Sequence, residues 1–516
     1  MRLRPTYRPP AATRYRAPGG PWDVPPLDAV LSARPVAGGA AVVDGPVRLD
    51  AVHLESMVAG LAGSLRRRGV ERGAVVTWQL PNWWEALVLY RACWRCGALP
   101  APLHHQVGAS EVAAMVEVLE PALAFASPSL PLAAHPGTVP VRDGGDGFTE
   151  LLSGPAVTVS PSRPSDLAAV IFTSGSTGSP KAVLHTHRGL ASKARAMASV
   201  HGLSGLDAVL MPAPLAHISG LLNAVLVPGA AGMRTVLMER WDVGAGLRLI
   251  EDEGISFMIG PPSLFTALLE DPGYSPGAVA SLRVISSGMM GVRPEFIEAA
   301  SAGLGAIVKR SYGSSEAPTV STCTNDDPPE RCRDTDGRAR GQTELRIVDP
   351  VSHRQRAAGR QGEVWIRGPE LFAGYADPAQ TEAAVHRGWF RSGDLGVIDA
   401  DGWLTITGRL KDLIIRGGEN IAAAEVEQAL EAHPDIARAV VVGCPDARLG
   451  ERVAAFVVAR RPIDVAECLR WFAEFGMARF KTPEVVVQLD ELPLLPAGKP
   501  DRAALKARAD ALGEAS

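Results

Sequence analysis

The sequence is poor in cysteine and in net charge. Its 516 residues include six cysteines, and the CxxC pair of Cys93 and Cys96 has no second CxxC or histidine pair with it. The composition therefore favours reduced thiols in a cytoplasmic protein over a zinc site or a disulfide framework. The formal net charge is −4, so the overall charge indicates neither nucleic acid nor an anionic membrane as a partner.

One long stretch, residues 208–233, contains no Asp, Glu, Lys or Arg. Its length would suffice for a membrane-spanning helix, but Pro212, Pro214 and Pro228 argue against one. We expect a buried strand, turn and helix here and no membrane span. This arrangement would place His217 and an asparagine in an apolar wall.

The chain begins with a basic, proline-rich segment, MRLRPTYRPPAATRYRAPGGPW. This segment lacks the apolar stretch of a secretory signal, and its prolines interrupt the amphipathic helix that a transit peptide needs. We predict an extended arm on the surface over residues 1–45.

Short β-branched runs alternate with helical patterns as far as about Thr343. This alternation indicates βαβ units and parallel sheets covered on both faces. We predict an α/β protein whose large N-terminal domain, residues 1–408, has two doubly wound sheets. Within it, residues 343–408 have the pattern of a small β-barrel-like subdomain. The helical pattern then returns, and residues 409–516 are predicted to form a small, mobile α/β C-terminal domain.

A run of hydroxyl residues and glycines, TSGSTGSPK, follows a strand pattern and precedes a helical pattern that starts at His187. In such a place, backbone N–H groups and hydroxyls converge on phosphate oxygens. Pro180 before the lysine excludes the P-loop pattern, and without a GxSxG elbow Ser176 is not expected to be a nucleophile. The predicted phosphate-binding loop contains Thr173, Ser174, Gly175, Ser176, Thr177, Gly178 and Lys181.

Five further motifs follow in order along the chain. They are APLAHISG at 213–220, SYGSSE at 311–316, RSGDLG at 391–396, GRLKDLIIRGGEN at 408–420 and LPLLPAGKPDR at 492–502. With the loop, they resemble the adenylate-forming superfamily, which includes acyl- and aryl-CoA synthetases, luciferases and the adenylation domains of peptide synthetases. QLPNWWE at 79–85 and IIRGGENI at 414–421 most resemble CoA ligases for fatty, aromatic or cyclic acids such as cyclohexanecarboxylate.

The resemblance implies an AMP-forming acid–thiol ligase that uses ATP, Mg²⁺ and CoA. Such an enzyme joins a carboxylate to the α-phosphate of ATP, releases pyrophosphate and then transfers the acyl group to the CoA thiol. Because the first step is phosphoryl-centred, positioning and charge neutralisation should supply most of the catalysis. The resemblance makes Lys499 the catalytic cation that bridges carboxylate and α-phosphate. It also makes Glu316, together with Thr177, a ligand of Mg²⁺.

Other residues correspond to the nucleotide site of the family. Asp394 resembles the aspartate that accepts both ribose hydroxyls, and Arg409 would contact the ribose or the phosphates. Ser315 keeps a hydroxyl for the α-phosphate where many relatives have threonine. The nucleotide set implied by the resemblance also contains Gly288, Met289, Tyr312 and Gly313.

Lys411 occupies the hinge position of the family, about which the C-terminal domain would alternate between adenylating and thioester-forming arrangements. The resemblance also implies that the CoA pantetheine passes Gly417, Gly418 and Glu419. On the acyl side, it places His217 beside the substrate carboxylate as a third catalytic residue. The acyl-binding set is His217, Asn223, Ser287, Gly288 and Tyr312.

The sequence departs from the family at VISSGMMG, residues 284–291, where relatives have a pattern nearer to GGAPL. Gly288 and Met289 replace the Ala-Pro pair that flanks adenine, and the adjacent methionines would form either a deformable pocket wall or ordinary core. Ala216 would widen the acyl side. These differences leave the acid open among aryl, cyclic and medium-chain carboxylates.

Other functions remain open at this stage. The acceptor could be the thiol of a carrier protein, or the acid could be nitrite, activated for diazotisation in a biosynthetic cluster. A nucleotide-binding regulatory protein without turnover is disfavoured because Lys499, Glu316 and Asp394 are all present. We expect a cytoplasmic monomer or homodimer that acts on a small-molecule acid and binds no nucleic acid.

Overall fold

The structure is a computed structural model. It describes residues 3–33, 36, 39–142, 147–173, 180–288, 292–416, 419–446, 448–475, 477–494 and 499–514. The chain divides into two compact units. Unit 1 comprises Met1–Leu345, Ile366–Arg391 and Gly402–Leu404, and unit 2 comprises Arg346–Trp365, Ser392–Asp401 and Thr405–Ser516. The division of domains at residue 408 stays a prediction.

A large mixed sheet forms the centre of unit 1. In spatial order its strands are Arg338–Ala339, Ser321–Thr322, Ile307–Tyr312, Val284–Ser287, Phe257–Gly260, Ala208–Met211, Arg234–Leu237, Ala40–Asp44 and Val47–Asp50. The strands from Ile307–Tyr312 to Ala40–Asp44 pair in parallel. The strand Ala208–Met211 is buried along its whole length, as expected where helices cover both faces of a parallel sheet.

A smaller parallel sheet lies in the first part of unit 1. Its strands are, in order, Leu99–Leu103, Val75–Gln79, Leu123–Ala126 and Val139–Pro140. The apolar helix Trp84–Cys96 is buried and ends at Gly97, whose φ of +89° lies in the left-handed region that favours glycine. Alternating helices and parallel strands confirm the predicted α/β class.

The helices of unit 1 cover these sheets. They are Ala12–Tyr15, Leu27–Ser32, Ala51–Arg67, Trp84–Cys96, Ala109–Leu119, Gly147–Leu151, His187–Val200, Ile218–Gly220, Val227–Ala231, Val243–Glu253, Pro262–Glu270, Pro294–Leu304, Pro329–Asp334 and Pro378–Ala384, with the 3₁₀ turn Pro131–Ala134 and the π-helical segment Leu221–Leu226. Asp242 caps one of them, since its Oδ1 accepts the Ala245 N–H at 2.7 Å. Within the part of the chain that the structure describes, every helix is too short or too polar to cross a membrane.

The uncharged stretch 208–233 has the predicted character. Its strand Ala208–Met211 is followed by a turn and by consecutive short helical segments that end at Ala231. The segment Leu221–Leu226 is fully buried, so the absence of charge reflects its place in the core.

The prediction of an extended surface arm over residues 1–45 is wrong. This part contains the helices Ala12–Tyr15 and Leu27–Ser32, and the strand Ala40–Asp44 belongs to the large sheet. Tyr15 and Leu27 are fully buried. The aromatic and aliphatic residues between the arginines and prolines pack into the core, so the basic composition of the segment did not indicate its position.

The phosphate-loop region also differs from the prediction. The strands Leu167–Thr173 and Lys181–Thr186 form an antiparallel pair in which Thr173 is opposite Lys181, and the helix His187–Val200 begins only after the second strand. The loop therefore connects two strands of a hairpin, and it does not run directly into a helix.

The β-rich segment after Thr343 contains the strands Glu344–Val348, Gly362–Arg367, Val385–His386, Trp389–Ile398 and Leu404–Arg409. The division between the units falls within this segment.

The remainder of unit 2 is an α/β module. Its sheet contains Glu419–Ala422, Leu413–Arg416, Gly450–Ala459 and Ile436–Asp446 in antiparallel order, with Val485–Gln488 parallel to Gly450–Ala459. Its helices are Ala423–Glu431, Val465–Glu474 and Arg502–Glu514, and its 3₁₀ turns are Leu410–Asp412 and Arg479–Lys481. Val426, Val441 and Phe472 are among its buried core residues.

Candidate active site

In unit 1, a tight turn follows the strand Ile307–Tyr312 and carries three of the predicted site residues. A Cβ on Gly313 would lie 2.3 Å from the backbone nitrogen of Thr319, so the turn closes where only glycine has room. Tyr312 precedes this turn and is buried. The turn brings Ser315 and Glu316 to the carboxyl end of a parallel strand, where α/β proteins bind ligands.

Two groups from a distant part of unit 1 hold Glu316. The Tyr375 hydroxyl donates to Glu316 Oε1 at 2.7 Å, and the Phe372 N–H donates to the Glu316 carbonyl at 2.8 Å. Burial and the negative charge of Glu316 raise the pKa of Tyr375 well above its ordinary value. Tyr375 therefore stays protonated and acts as the donor to a carboxylate.

Lys181 lies over the ring of the same tyrosine. Its Nζ is 5.3 Å from the centre of the Tyr375 ring, within the range of a cation–π contact. The hairpin pairing places Thr173 opposite Lys181. The structure thus brings the cation of the predicted loop and the carboxylate of SYGSSE to one aromatic ring. The loop residues Ser174, Gly175, Ser176, Thr177 and Gly178 lie outside the described residues.

Ser315 is fixed through its backbone. His185 Nε2 lies 2.8 Å from the Ser315 carbonyl oxygen, and burial lowers the pKa of His185 to about 4. A neutral imidazole beside a carbonyl must place its proton on Nε2, so His185 is the donor. This contact leaves the Ser315 hydroxyl for another partner, as a phosphate contact requires.

Two of the residues predicted near adenine and the acyl group lie beside the strand Ile307–Tyr312, and their roles stay predictions. Ser287 ends the strand Val284–Ser287, next to Ile307–Tyr312, and Gly288 follows it; a Cβ on Gly288 would lie 2.7 Å from the Ser311 carbonyl oxygen. The Ser287 hydroxyl donates to the Gly260 carbonyl at 3.2 Å, so it already has an acceptor. Met289 lies outside the described residues.

Asn223 also has an internal partner. Its Nδ2 donates to the Ser219 carbonyl at 2.9 Å, one helical turn earlier, and the side chain is buried. This bond stabilises the π-helical segment Leu221–Leu226. A direct role of Asn223 in acid binding stays a prediction.

His217 lies within a group of histidines. It immediately precedes the helix Ile218–Gly220, and its ring centre is 4.8 Å from that of His104, which in turn stacks on His105 at 4.7 Å. Burial, followed by the charges of His217 and His105, lowers the pKa of His104 to about 3. His104 is therefore neutral at physiological pH. Sequence reasoning missed it, although a His-His pair directly after the buried strand Leu99–Leu103 was a visible signal.

In unit 2, the predicted nucleotide and catalytic residues lie close together. Asp394 Oδ1 is 3.1 Å from Arg409 Nε, and the Asp394 N–H donates to the Ser392 hydroxyl at 3.0 Å. Lys499 reaches solvent, yet partial burial and the positive charges of Arg409 and Lys411 lower its pKa. Unit 2 thus contains a compact group of cations with one carboxylate.

Two other features of unit 2 bear on the predictions. Lys411 lies in the 3₁₀ turn Leu410–Asp412, between the strands Leu404–Arg409 and Leu413–Arg416. Glu419 begins a strand, while Gly417 and Gly418 lie outside the described residues. The hinge and CoA-binding roles stay predictions.

Comparisons with known proteins identify the family. The chain matches the model of the AMP-binding enzyme family over residues 32–376 and that of the AMP-binding enzyme C-terminal domain over residues 425–499. The chain therefore belongs to the AMP-binding enzyme family.

Individual relatives agree with this assignment. The chain is 33% identical to the medium-chain fatty-acid–CoA ligase of Escherichia coli (strain K12), over 86% of this chain and 83% of that protein. It is also 33% identical to the indoleacetate–CoA ligase of Aromatoleum aromaticum, over 87% of this chain and 91% of that protein. Among solved structures, ATP-bound MatB from Rhodopseudomonas palustris matches with a TM-score of 0.87 and 27% identity, over 94% of this chain and 99% of MatB.

These findings confirm the predicted adenylate-forming family and its α/β fold with a large N-terminal and a small C-terminal domain. They also confirm the enzyme class. The protein is an AMP-forming acid–thiol ligase that uses ATP.

Proposed function

We propose that the protein activates an aryl, cyclic or medium-chain carboxylic acid as acyl-AMP and then transfers the acyl group to CoA. The observation that carries this proposal is the grouping of Glu316 and Lys181 around Tyr375. A carboxylate and a cation at that place suit a metal-bound polyphosphate. The two curated relatives are ligases of a medium-chain fatty acid and of indoleacetate, both with CoA, which supports the choice of acid and acceptor.

Each charged residue has a distinct role in this proposal. Lys181 neutralises the β- and γ-phosphates that leave as pyrophosphate. Asp394 accepts the ribose hydroxyls, and Lys499 supplies the positive charge between the attacking carboxylate and the α-phosphate. Lys411 is the hinge between the two half-reactions.

The residues present are compatible with Mg²⁺. Tyr375 bonds one oxygen of Glu316, and a carboxylate has lone pairs for further partners on both oxygens. Glu316 and Thr177 would hold the ion, and bound Mg²⁺ supplies neutralisation of the phosphate charge.

The group formed by His217, His104 and His105 is suited to the part of the site that would bind the acyl group. His217 lies against the neutral ring of His104, which can border a hydrophobic acid without introducing a charge. We therefore assign His217 a place beside the acid carboxylate, on the path by which the thiol approaches it.

A single assay tests the proposal. Pyrophosphate release is measured over a panel of aryl, cyclic and medium-chain acids and nitrite, with and without CoA, and Glu316→Gln serves as the control for contaminating activity. We expect release with at least one hydrophobic acid, and a thioester that forms only when CoA is present.

Other outcomes have definite meanings. Pyrophosphate release without formation of a CoA thioester would indicate that the acceptor is a carrier-protein thiol and not CoA. Release with nitrite alone would indicate activation for diazotisation. The absence of release with every acid would refute the ligase proposal.

A further inference from the structure

Residues 3–22, here called the N-terminal strap, run along residues 369–388 of unit 1. The backbone N–H groups of Thr6 and Tyr7 both donate to the Ala373 carbonyl, at 2.8 and 2.9 Å. Two donors on one carbonyl fix the strap at the segment that precedes Tyr375.

Two further contacts secure the strap on both sides of this point. The Tyr7 hydroxyl donates to the Gly388 carbonyl at 3.0 Å, and Trp22 Nε1 donates to the Pro369 carbonyl at 2.8 Å. Both aromatic side chains are buried. The strap is therefore part of the packed structure and carries specific hydrogen bonds.

The Thr6 hydroxyl bonds directly to the tyrosine that holds Glu316. Thr6 Oγ1 donates to the Tyr375 carbonyl at 2.8 Å and lies 2.8 Å from Thr381 Oγ1. Because a hydroxyl has one proton, Thr381 is the donor to Thr6. Thr6 lies so close to Gly374 that a Cβ there would be 1.9 Å from its Oγ1, and Gly374 has a φ of +97°.

Tyr375 is held at both of its backbone groups. Its N–H donates to Thr381 Oγ1 at 2.8 Å, and its carbonyl accepts from Thr6. It also lies opposite Val183 of the strand that begins with Lys181. A tyrosine fixed in this way can present its hydroxyl to Glu316 in only a narrow range of directions.

The strap precedes the part of the chain that matches the family model. The match begins at residue 32, whereas the strap ends at residue 22. The family model therefore gives no information on the contacts of Thr6.

We propose that the N-terminal strap is a positioning element of the nucleotide site, in which Thr6 fixes Tyr375 and Tyr375 fixes the carboxylate of Glu316. The inference rests on the proposed function, which assigns that carboxylate to Mg²⁺–ATP. Thr6 and Tyr375 are positioning residues, since they act on the bound ion and phosphates through Glu316.

The test compares Tyr375→Phe and Thr6→Val, which remove one hydroxyl each and keep the shape of the side chain. Binding of ATP is measured by calorimetry at increasing Mg²⁺ concentration, and the KM for the acid is measured separately. For Tyr375→Phe we expect the Mg²⁺ concentration for half-maximal ATP binding to rise roughly tenfold, as for loss of a hydrogen bond to a charged group. The KM for the acid should not change.

The double variant Thr6→Val/Tyr375→Phe tests whether Thr6 acts on Glu316 through Tyr375, here called the relay, or only by general destabilisation. If Thr6 acts through Tyr375, Thr6→Val raises the Mg²⁺ requirement in the wild-type background and has no further effect once Tyr375 is Phe. Equal effects in both backgrounds would refute the relay. An unchanged Mg²⁺ requirement in Tyr375→Phe would refute it as well.

Two control variants are available within the strap. Thr6→Ser keeps the hydroxyl and should restore the wild-type Mg²⁺ requirement. Arg14→Gln changes a strap residue whose Nε donates to Gln342, away from Tyr375, and should have no effect.

Two measurements distinguish failure of the relay from failure of the proposed function. Hydrogen exchange at the Tyr375 amide needs no substrate, and Thr6→Val should accelerate it; unchanged exchange would contradict the role of Thr6. Glu316→Gln tests the metal assignment: if it binds Mg²⁺–ATP like the wild type, the proposed role of Glu316 is wrong. If Glu316→Gln weakens binding but Tyr375→Phe does not, the relay alone is wrong.

Discussion

Lys499 lies among like charges in unit 2. Arg409 and Lys411 contribute to the lowering of its pKa, after partial burial, and the nearby carboxylate of Asp394 is paired with Arg409. An anion placed at Lys499 would relieve this repulsion. The residue is thus suited to bind a carboxylate or a phosphate, which is what the first half-reaction demands.

The change Lys499→Ala should reduce adenylation by roughly 10²–10³-fold, because it removes a charge that stabilises the transition state. Thioester formation from supplied acyl-adenylate should remain close to that of the wild type. The two half-reactions are measured by pyrophosphate release and by thioester formation.

The matched control is Lys506→Ala, a lysine of unit 2 that pairs with Glu451 and Asp510. It should leave both half-reactions unchanged. Equal loss of both half-reactions in Lys499→Ala would contradict the assignment of Lys499 to the first step alone.

Single residues were predictable where a motif carries them. Lys181 and Glu316 stand in motifs, and the structure places both beside one ring. Tyr375 was missed because its hydroxyl acts on a residue 59 positions away, and no local pattern in FAGY indicates that partner. Thr6 was missed for the same reason, and the basic composition around it suggested a surface arm.

The turn from Gly313 to Thr319 has no room for a side chain at position 313. The change Gly313→Ala would place a Cβ 2.3 Å from the Thr319 nitrogen, so the backbone that carries Ser315 and Glu316 must shift. We expect a loss of about 1–3 kcal/mol in the free energy of unfolding and weaker ATP binding. Urea denaturation and calorimetry measure the two effects.

Gly277→Ala is the control for this change. Its Cβ would meet only Ser275 Oγ, at the ordinary contact distance of 3.8 Å. If both alanine variants bind ATP like the wild type, the turn does not set the geometry of the site.

The strand Lys181–Thr186 shows why one element was mispredicted. Leu184 donates to the Gly374 carbonyl at 2.9 Å, and Ala376 donates to the Ala182 carbonyl at 2.9 Å. Its second edge therefore pairs with a segment more than a third of the chain length away. Short-range patterns report helices and buried strands well, but they contain no information on such a partner.

At the scale of the whole molecule, several histidines are buried in neutral form. Burial lowers the pKa of His185 and of His187 to about 4, from an ordinary value of about 6.5. Between these values the unfolded chain binds more protons than the folded chain. Stability should therefore fall as the pH is lowered through this window, by at most about 1.4 kcal/mol per pH unit for each histidine.

Urea unfolding at a series of pH values between about 7 and 4 measures this slope. His187→Gln should make the slope shallower, because it removes one of the buried histidines that are protonated on unfolding. A slope that is the same in the wild type and in His187→Gln would show that His187 is not protonated on unfolding.

The hydrogen bond from Thr6 to Tyr375 joins positions 369 residues apart. A ribosome that adds about 5–20 residues per second needs roughly 20–70 s to make that length of chain. The strap is therefore synthesised well before Tyr375 and must wait for this time before its partner exists. Glu316 is also synthesised before the tyrosine that holds it, so the proposed positioning of its carboxylate is completed only after residue 375 has been made.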